Sequence, residues 1–266
     1  MRLPRSSISS GWVLLACGTL AGCSAEPPPP AAGLGQYPPA TLAEAVLLRN
    51  ATAIENFLAL GVDPNEPEAD GTTPLMRAVH GQMPNTAQLL IDAGADVKKA
   101  NSYGVTALYI AARAADSVAT RMLLAAGADA NAALPTSGET VLMTAAKAGS
   151  PEVVGALLTG GIEGVSLAQL AEARAAARIA DAAGYSLLPN PAMTPNYADV
   201  DARERWYGRT ALMIAAAEGH LDAVRLLVEA GSDLHLTDEE GSTALSLARS
   251  YGHLDVAALL AQAGAD

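Results

Sequence analysis

From residue 41 onward, short apolar bursts come in pairs, separated by polar stretches punctuated by glycine, and the paired pattern recurs. The segments GTTPLMRAV from Gly71, GVTALYIAA from Gly104, GETVLMTAA from Gly138, GRTALMIAA from Gly208 and GSTALSLAR from Gly241 share one order of residue types. Their glycines stand 33, 34, 70 and 33 residues apart. A second, Leu-rich burst follows each, such as Leu123-Leu124 or Leu226-Leu227, and then a closing triplet: Gly94-Ala95-Asp96, Gly127-Ala128-Asp129, Gly231-Ser232-Asp233 and Gly264-Ala265-Asp266. Each residue type has a physical task. The first Gly permits the positive φ of a turn, and the Thr after it caps a helix. The small Ala residues let neighbouring helices approach, and the Leu pair fills the layer between adjacent units. The Gly after the second burst ends that helix in a left-handed cap. One such unit cannot bury its own apolar face, so stability has to come from stacking.

This repeat resembles that of the ankyrin family, which implies an all-α repeat solenoid of helix pairs joined by β-hairpin loops. The pattern predicts about six units: 41–67, 68–100, 101–134, 135–161 with its closure at 198–204, 205–237 and 238–266. The first unit, TLAEAVLLRNATAIENFLALG, lacks the hairpin glycine, has Pro38 where it would fall, and resembles an amino-terminal cap. The interval of 70 residues marks an insertion over 162–197. Within it, Ser166 and Gln169 form a capping-box pattern, Gly184 supplies a stop, and a proline-broken loop follows. Two alternatives stay open: an eroded further repeat, or a helix-and-loop excursion.

Composition supports a helical body. Half of the 266 residues are hydrophobic but only 4% are aromatic, with a single Phe, which favours closely stacked helices over a sheet sandwich. The amino terminus behaves differently. Arg2 and Arg5 precede an apolar stretch from Trp12 to Leu20 that is too short to span a bilayer, so residues 1–22 are expected to be a secretion signal. The stretch ends in Leu20-Ala21-Gly22-Cys23, which resembles the lipobox of bacterial lipoproteins. That resemblance implies acylation of Cys23, such as by palmitate. With Ser24 next to it rather than Asp, the resemblance implies an outer-membrane lipoprotein facing the periplasm. Cys17 lies in the segment to be removed, so no disulfide is expected in the mature chain. Residues 23–40 form a proline-rich tether with a reach of roughly 50 Å in the polyproline conformation. The formal charge of -12 falls to about -14 once Arg2 and Arg5 are lost, which disfavours nucleic acid and anionic lipid and favours a basic protein.

Candidate chemistry is sparse. His220 and His253 occupy Gly-His positions (EGHLDAV, YGHLDVA) where the resemblance implies packing roles, and His235 follows the Gly-Ser-Asp closure. No histidine pair has zinc-site spacing. Asp199 and Asp201 are accounted for by the repeat closure, and Asp238-Glu239-Glu240 is expected to be a solvated charge cluster at a turn. No phosphate loop, nucleophile elbow or HExxH pattern occurs, so no cofactor, no metal and no catalysis are expected.

By resemblance, a partner binds along the turn tips and first helices, at Asp70, His80, Tyr103, Val105, Arg113, Glu139, Lys147, Trp206, Tyr207, Arg209, Glu218, Glu240 and Tyr251. Trp206, Tyr207, Arg209, Tyr103, Arg113, Lys147, His80 and Tyr251 are the partner-binding candidates. The Trp206–Tyr207 pair, flanked by Arg205 and Arg209, has the composition of an interface hot spot unless the insertion folds over it. The leading expectation is therefore a monomeric, membrane-tethered module that binds or inhibits a protein, such as a secreted toxin or a periplasmic enzyme. A structural envelope tether with weak polyvalent contacts and a hydrolase built on the insertion are the alternatives.

Overall fold

The computed structural model describes residues 38–162, 164–172, 175 and 196–265. The expected signal, the acyl site at Cys23, most of the tether and the insertion's helix end and loop lie outside these residues. Residues 38–265 belong to a single compact unit.

Helix pairs make up this unit: α1 (Leu42–Leu47) with α2 (Ala51–Ala59), α3 (Pro74–His80) with α4 (Pro84–Asp92), and α5 (Ala107–Arg113) with α6 (Ser117–Ala125). The series continues with α7 (Val141–Ala148) and α8 (Pro151–Leu158), α9 (Ala211–Glu218) and α10 (Leu221–Glu229), and α11 (Ala244–Tyr251) and α12 (Leu254–Gln262). Every first helix starts at a Thr whose hydroxyl accepts the amide three residues on: Thr41, Thr73, Thr106, Thr140, Thr210 and Thr243. Losing such a cap costs about 1 kcal/mol. Since Thr41 is the cap of α1, the residue at the glycine's place is the buried Pro39 and not Pro38.

The first helices pack in a row, α1 on α3, α3 on α5, α5 on α7, α7 on α9 and α9 on α11. The second helices form a parallel layer behind them, with α4 on α6, α6 on α8, α8 on α10 and α10 on α12. Between the layers lie Leu90, Leu123, Leu157, Leu227 and Leu260, all fully buried, each contributing about 1.5–3 kcal/mol by leaving water. Among the described residues no regular strand occurs, and the expected β-hairpins reduce to two isolated antiparallel bridges, Ala100 to Thr106 and Ala133 to Thr140.

No unit intervenes between the fourth and fifth helix pairs, because α7 packs directly on α9 and α8 on α10. The amide of Ala198 donates to the carbonyl of Leu157 (3.1 Å), just as Ala128 donates to Leu123 and Ser232 to Leu227. The closing turn of the fourth unit thus resumes at Ala198 in the frame it left at Leu157. Asn131 accepts from the Asp199 amide and donates to the Tyr197 carbonyl, while Asn196 accepts from the Ala130 amide. The described helical stretch of the insertion, 167–172, begins after Ser166 and lies on the second-helix side. A Cβ on Gly231 would stand 3.0 Å from that of Ala171.

Candidate functional site

Turn tips project from the first-helix side, and neighbouring tips are joined by backbone hydrogen bonds. Ser102 donates to the Asp70 carbonyl, Arg205 to Ser137 and Glu239 to Tyr207, at 3.0, 2.7 and 2.8 Å. Between the third and fourth units the corresponding residue is Pro135, which has no amide hydrogen to give. Its ring instead occupies the space above Gly104, where any Cβ would collide with it.

The fourth and fifth tips are each one residue longer than their neighbours. Their bracketing bonds run from the Leu134 amide to the Glu139 carbonyl and from the Glu204 amide to the Arg209 carbonyl, against Asn101 to Val105 and Asp238 to Ser242 elsewhere, with one more residue enclosed. Glu204 organises the fifth tip. One carboxylate oxygen accepts the Trp206 amide (2.7 Å) and the other accepts those of Tyr207 (2.7 Å) and Arg209 (3.2 Å). Arg205 anchors the tip to the fourth unit by donating to the Pro135 carbonyl (2.8 Å). With its backbone fixed and its core contacts supplied by others, the tip leaves Trp206 66% and Tyr207 50% exposed.

Behind this tip, on the first-helix side, is a groove of about 270 Å³. Trp206, Tyr207, Arg209 and Glu204 form one wall, Ile214, Ala217 and Glu218 of α9 the floor, and Lys147 of α7 with Glu139 and Ser137 the other wall. The groove's two helix ends are held from behind. His220 Nε2 lies 3.2 Å from the Lys147 carbonyl and His253 Nε2 lies 3.0 Å from that of Ala217, so each ring presents an N–H there.

Of the eight candidates, the structure brings Trp206, Tyr207, Arg209 and Lys147 to this one groove. His80, Tyr103, Arg113 and Tyr251 are exposed on other units and do not line it. Arg209 differs from the rest because it is not a free cation. Its Nε donates to Asp238 at 3.3 Å and its guanidinium lies 5.2 Å from the centre of the Tyr207 ring. Asp238 in turn corrects the expectation of a solvated cluster, since its side chain is fully buried and also accepts the amides of Glu240 and Ser242. Val105, expected outward, is half-buried against the core. Sequence reasoning missed Glu204, whose acidic side chain four residues before Gly208 offers no periodic signal, and it missed Ile214 and Ala217, which read as core.

Elsewhere, a second cavity of about 320 Å³ lies among the second helices and the start of the insertion, beside Arg121, Gly155 and Val165. Among the described residues no group of three or more His, Cys, Asp or Glu side chains is placed to hold a metal. No described helix is long and apolar enough to cross a membrane.

Comparison with known proteins agrees with this geometry. A family model described as ankyrin repeats (3 copies) matches residues 42–133, 104–167 and 174–266. Protein PhlB of Serratia liquefaciens is 41% identical over 80 residues, which is 30% of this chain and 35% of that protein, so the match spans about a third of the relative's length. The crystal structure of EF0377, an ankyrin repeat protein, superposes with a TM-score of 0.66 at 27% identity, covering 85% of this chain and 98% of that one. The chain belongs to the ankyrin-repeat family.

Proposed function

We propose that this protein is a membrane-tethered, non-catalytic module that faces the periplasm and captures one protein partner through the groove at Trp206 and Tyr207. Ankyrin repeats in general mediate protein–protein interaction, and the observation that carries the specific site is the exposure of two adjacent aromatic side chains on a tip whose Trp206, Tyr207 and Arg209 amides are already bonded to Glu204. In a chain with 4% aromatic residues, these two are not needed for packing, and Trp and Tyr at the rim of a preformed groove are typical interface anchors. The anchor is Cys23, acylated at the lipobox-like Leu20-Ala21-Gly22-Cys23, with the tether lifting the groove clear of the lipid. A net charge of -12 selects for a basic partner, such as a secreted toxin held inactive or a periplasmic enzyme.

Two experiments test the two halves of this proposal. Palmitate incorporation is expected in the wild type and lost in Cys23→Ala, and no incorporation in the wild type would remove the lipid anchor. The double variant Trp206→Ala/Tyr207→Ala should lose at least about ten-fold in partner affinity while its unfolding midpoint stays within the error of wild type, as hot-spot truncations outside the core do. Undiminished capture would place the site elsewhere.

A further inference from the structure

The side chains lining the groove do more than mark a surface; their unpaired chemistry describes what fits. Three carboxylates, Glu139, Glu204 and Glu218, face two cations, Lys147 and Arg209. The charge of Arg209 is already answered by the buried Asp238, and the carboxylate of Glu204 is occupied by three amides. Glu139 spends one oxygen on the Thr144 hydroxyl, at 3.2 Å. Glu218 lies exposed on the groove floor, so the groove presents a surplus of negative charge. The aromatic faces are similarly divided. Tyr207 already carries the Arg209 guanidinium 5.2 Å from its centre, whereas Trp206 is two-thirds exposed. Between them lie the aliphatic surfaces of Ile214 and Ala217.

From this we infer that the groove receives an arginine side chain of the partner. Its stem lies over Ile214 and Ala217, and its guanidinium sits between the Trp206 ring and the carboxylates of Glu218 and Glu139. This inference rests on the groove being the partner site. A guanidinium suits it because that ion is planar, weakly hydrated and able to stack on an indole while donating to carboxylates in its plane. The tip itself uses the same arrangement at Arg209, Tyr207 and Asp238. Lys147 stands on the opposite wall as a like charge, which weakens the site and gives the inference a sign that can be tested.

The test uses the full chain in detergent with Trp12→Phe, which leaves Trp206 as the sole indole and makes its fluorescence a report on the groove alone. The probes are the capped tripeptides Gly-Arg-Gly and Gly-citrulline-Gly, titrated at matched ionic strength. The arginine peptide is expected to change the fluorescence saturably, with the neutral citrulline isostere at least about five-fold weaker. Glu218→Gln should weaken the arginine peptide about three-fold or more, and Lys147→Met should tighten it by a similar factor, since removing an attractive or a repelling charge acts in opposite directions. Equal response to the two peptides, or weaker binding in Lys147→Met, would overturn the inference. If the charge variants change nothing while Trp206→Ala/Tyr207→Ala still loses the partner, the groove stands as the partner site and the arginine assignment falls.

Discussion

The two halves of the array solve the same turn in different ways. Where each first helix gives way to the second, the backbone enters the left-handed region, and in the first three units the residues there are Arg49, Gln82 and Ala115, at φ of 55°, 52° and 54°. In the last three units they are Gly149, Gly219 and Gly252, at 69°, 79° and 84°. Conformation alone does not explain the change, since the first half manages without glycine. The neighbour does. A Cβ on Gly149 would stand 2.5 Å from the ring of His220, and one on Gly219 would stand 2.4 Å from that of His253. Each glycine makes room for a histidine of the following unit, and each histidine holds the carbonyl of a groove residue, Lys147 or Ala217. The glycine–histidine half is therefore also the half that carries the longer tips and the exposed aromatic pair. The stack is locked from behind at the place where the groove opens.

This contrast can be broken most strongly at Gly219. Gly219→Ala combines a disfavoured φ with a clash against a ring and should destabilise the array by about 2–3 kcal/mol in urea unfolding. Gly252→Ala shares the φ but meets nothing within 4 Å, so its cost should be nearer 1 kcal/mol. Equal losses at the two positions would show that the histidine contact does not matter. In the other half the sign reverses: Ala115→Gly relieves a left-handed alanine in an exposed turn and should stabilise by about 0.5 kcal/mol, net of the greater freedom of glycine when unfolded. A loss there would mean that Ala115 makes contacts its exposure does not suggest.

The smallest effect concerns pH and belongs to the first half. Asp70 accepts the amide and then the hydroxyl of Thr72, both at 2.9 Å, and Arg77 adds a weaker attraction, so its pKa is held below the ordinary 3.8. A carboxylate depressed in the folded state adds stability above its unfolded pKa and loses it as pH falls through the folded value. Asp70→Asn should therefore flatten the acid limb of unfolding midpoint against pH below about pH 4. Since the group is fully exposed, the difference will be slight, and an unchanged limb would show that solvent screens it entirely.

The repeat frame was legible in the sequence because each position is committed by local physics. A Thr two residues after a Gly caps a helix wherever it stands, and five such threonines do so, with Thr41 capping α1 two residues after Pro39 instead. Spacing also held a finer signal. The step of 34 residues from Gly104 to Gly138 records the extra residue in the fourth tip, and the step of 70 conceals a second one once the insertion is removed. What could not be read was anything decided between units. Nothing local to Asp238 shows that Arg209, 29 residues earlier, will bury it. Nothing near Glu204 announces that its side chain will gather three amides of its own tip. Ile214 and Ala217 have the residue types of core positions and are seen to line a groove only once the tip at Trp206 and Tyr207 is placed opposite Lys147.

The most direct measurement is photocrosslinking in the envelope of living cells, with p-benzoylphenylalanine incorporated either at position 207, on the groove wall, or at position 225, exposed on α10 of the opposite layer. One dominant adduct from position 207, lost when Trp206→Ala is added, with none from position 225, is the predicted result. Adducts of equal strength from both positions, or from position 225 alone, would contradict a partner held in the groove.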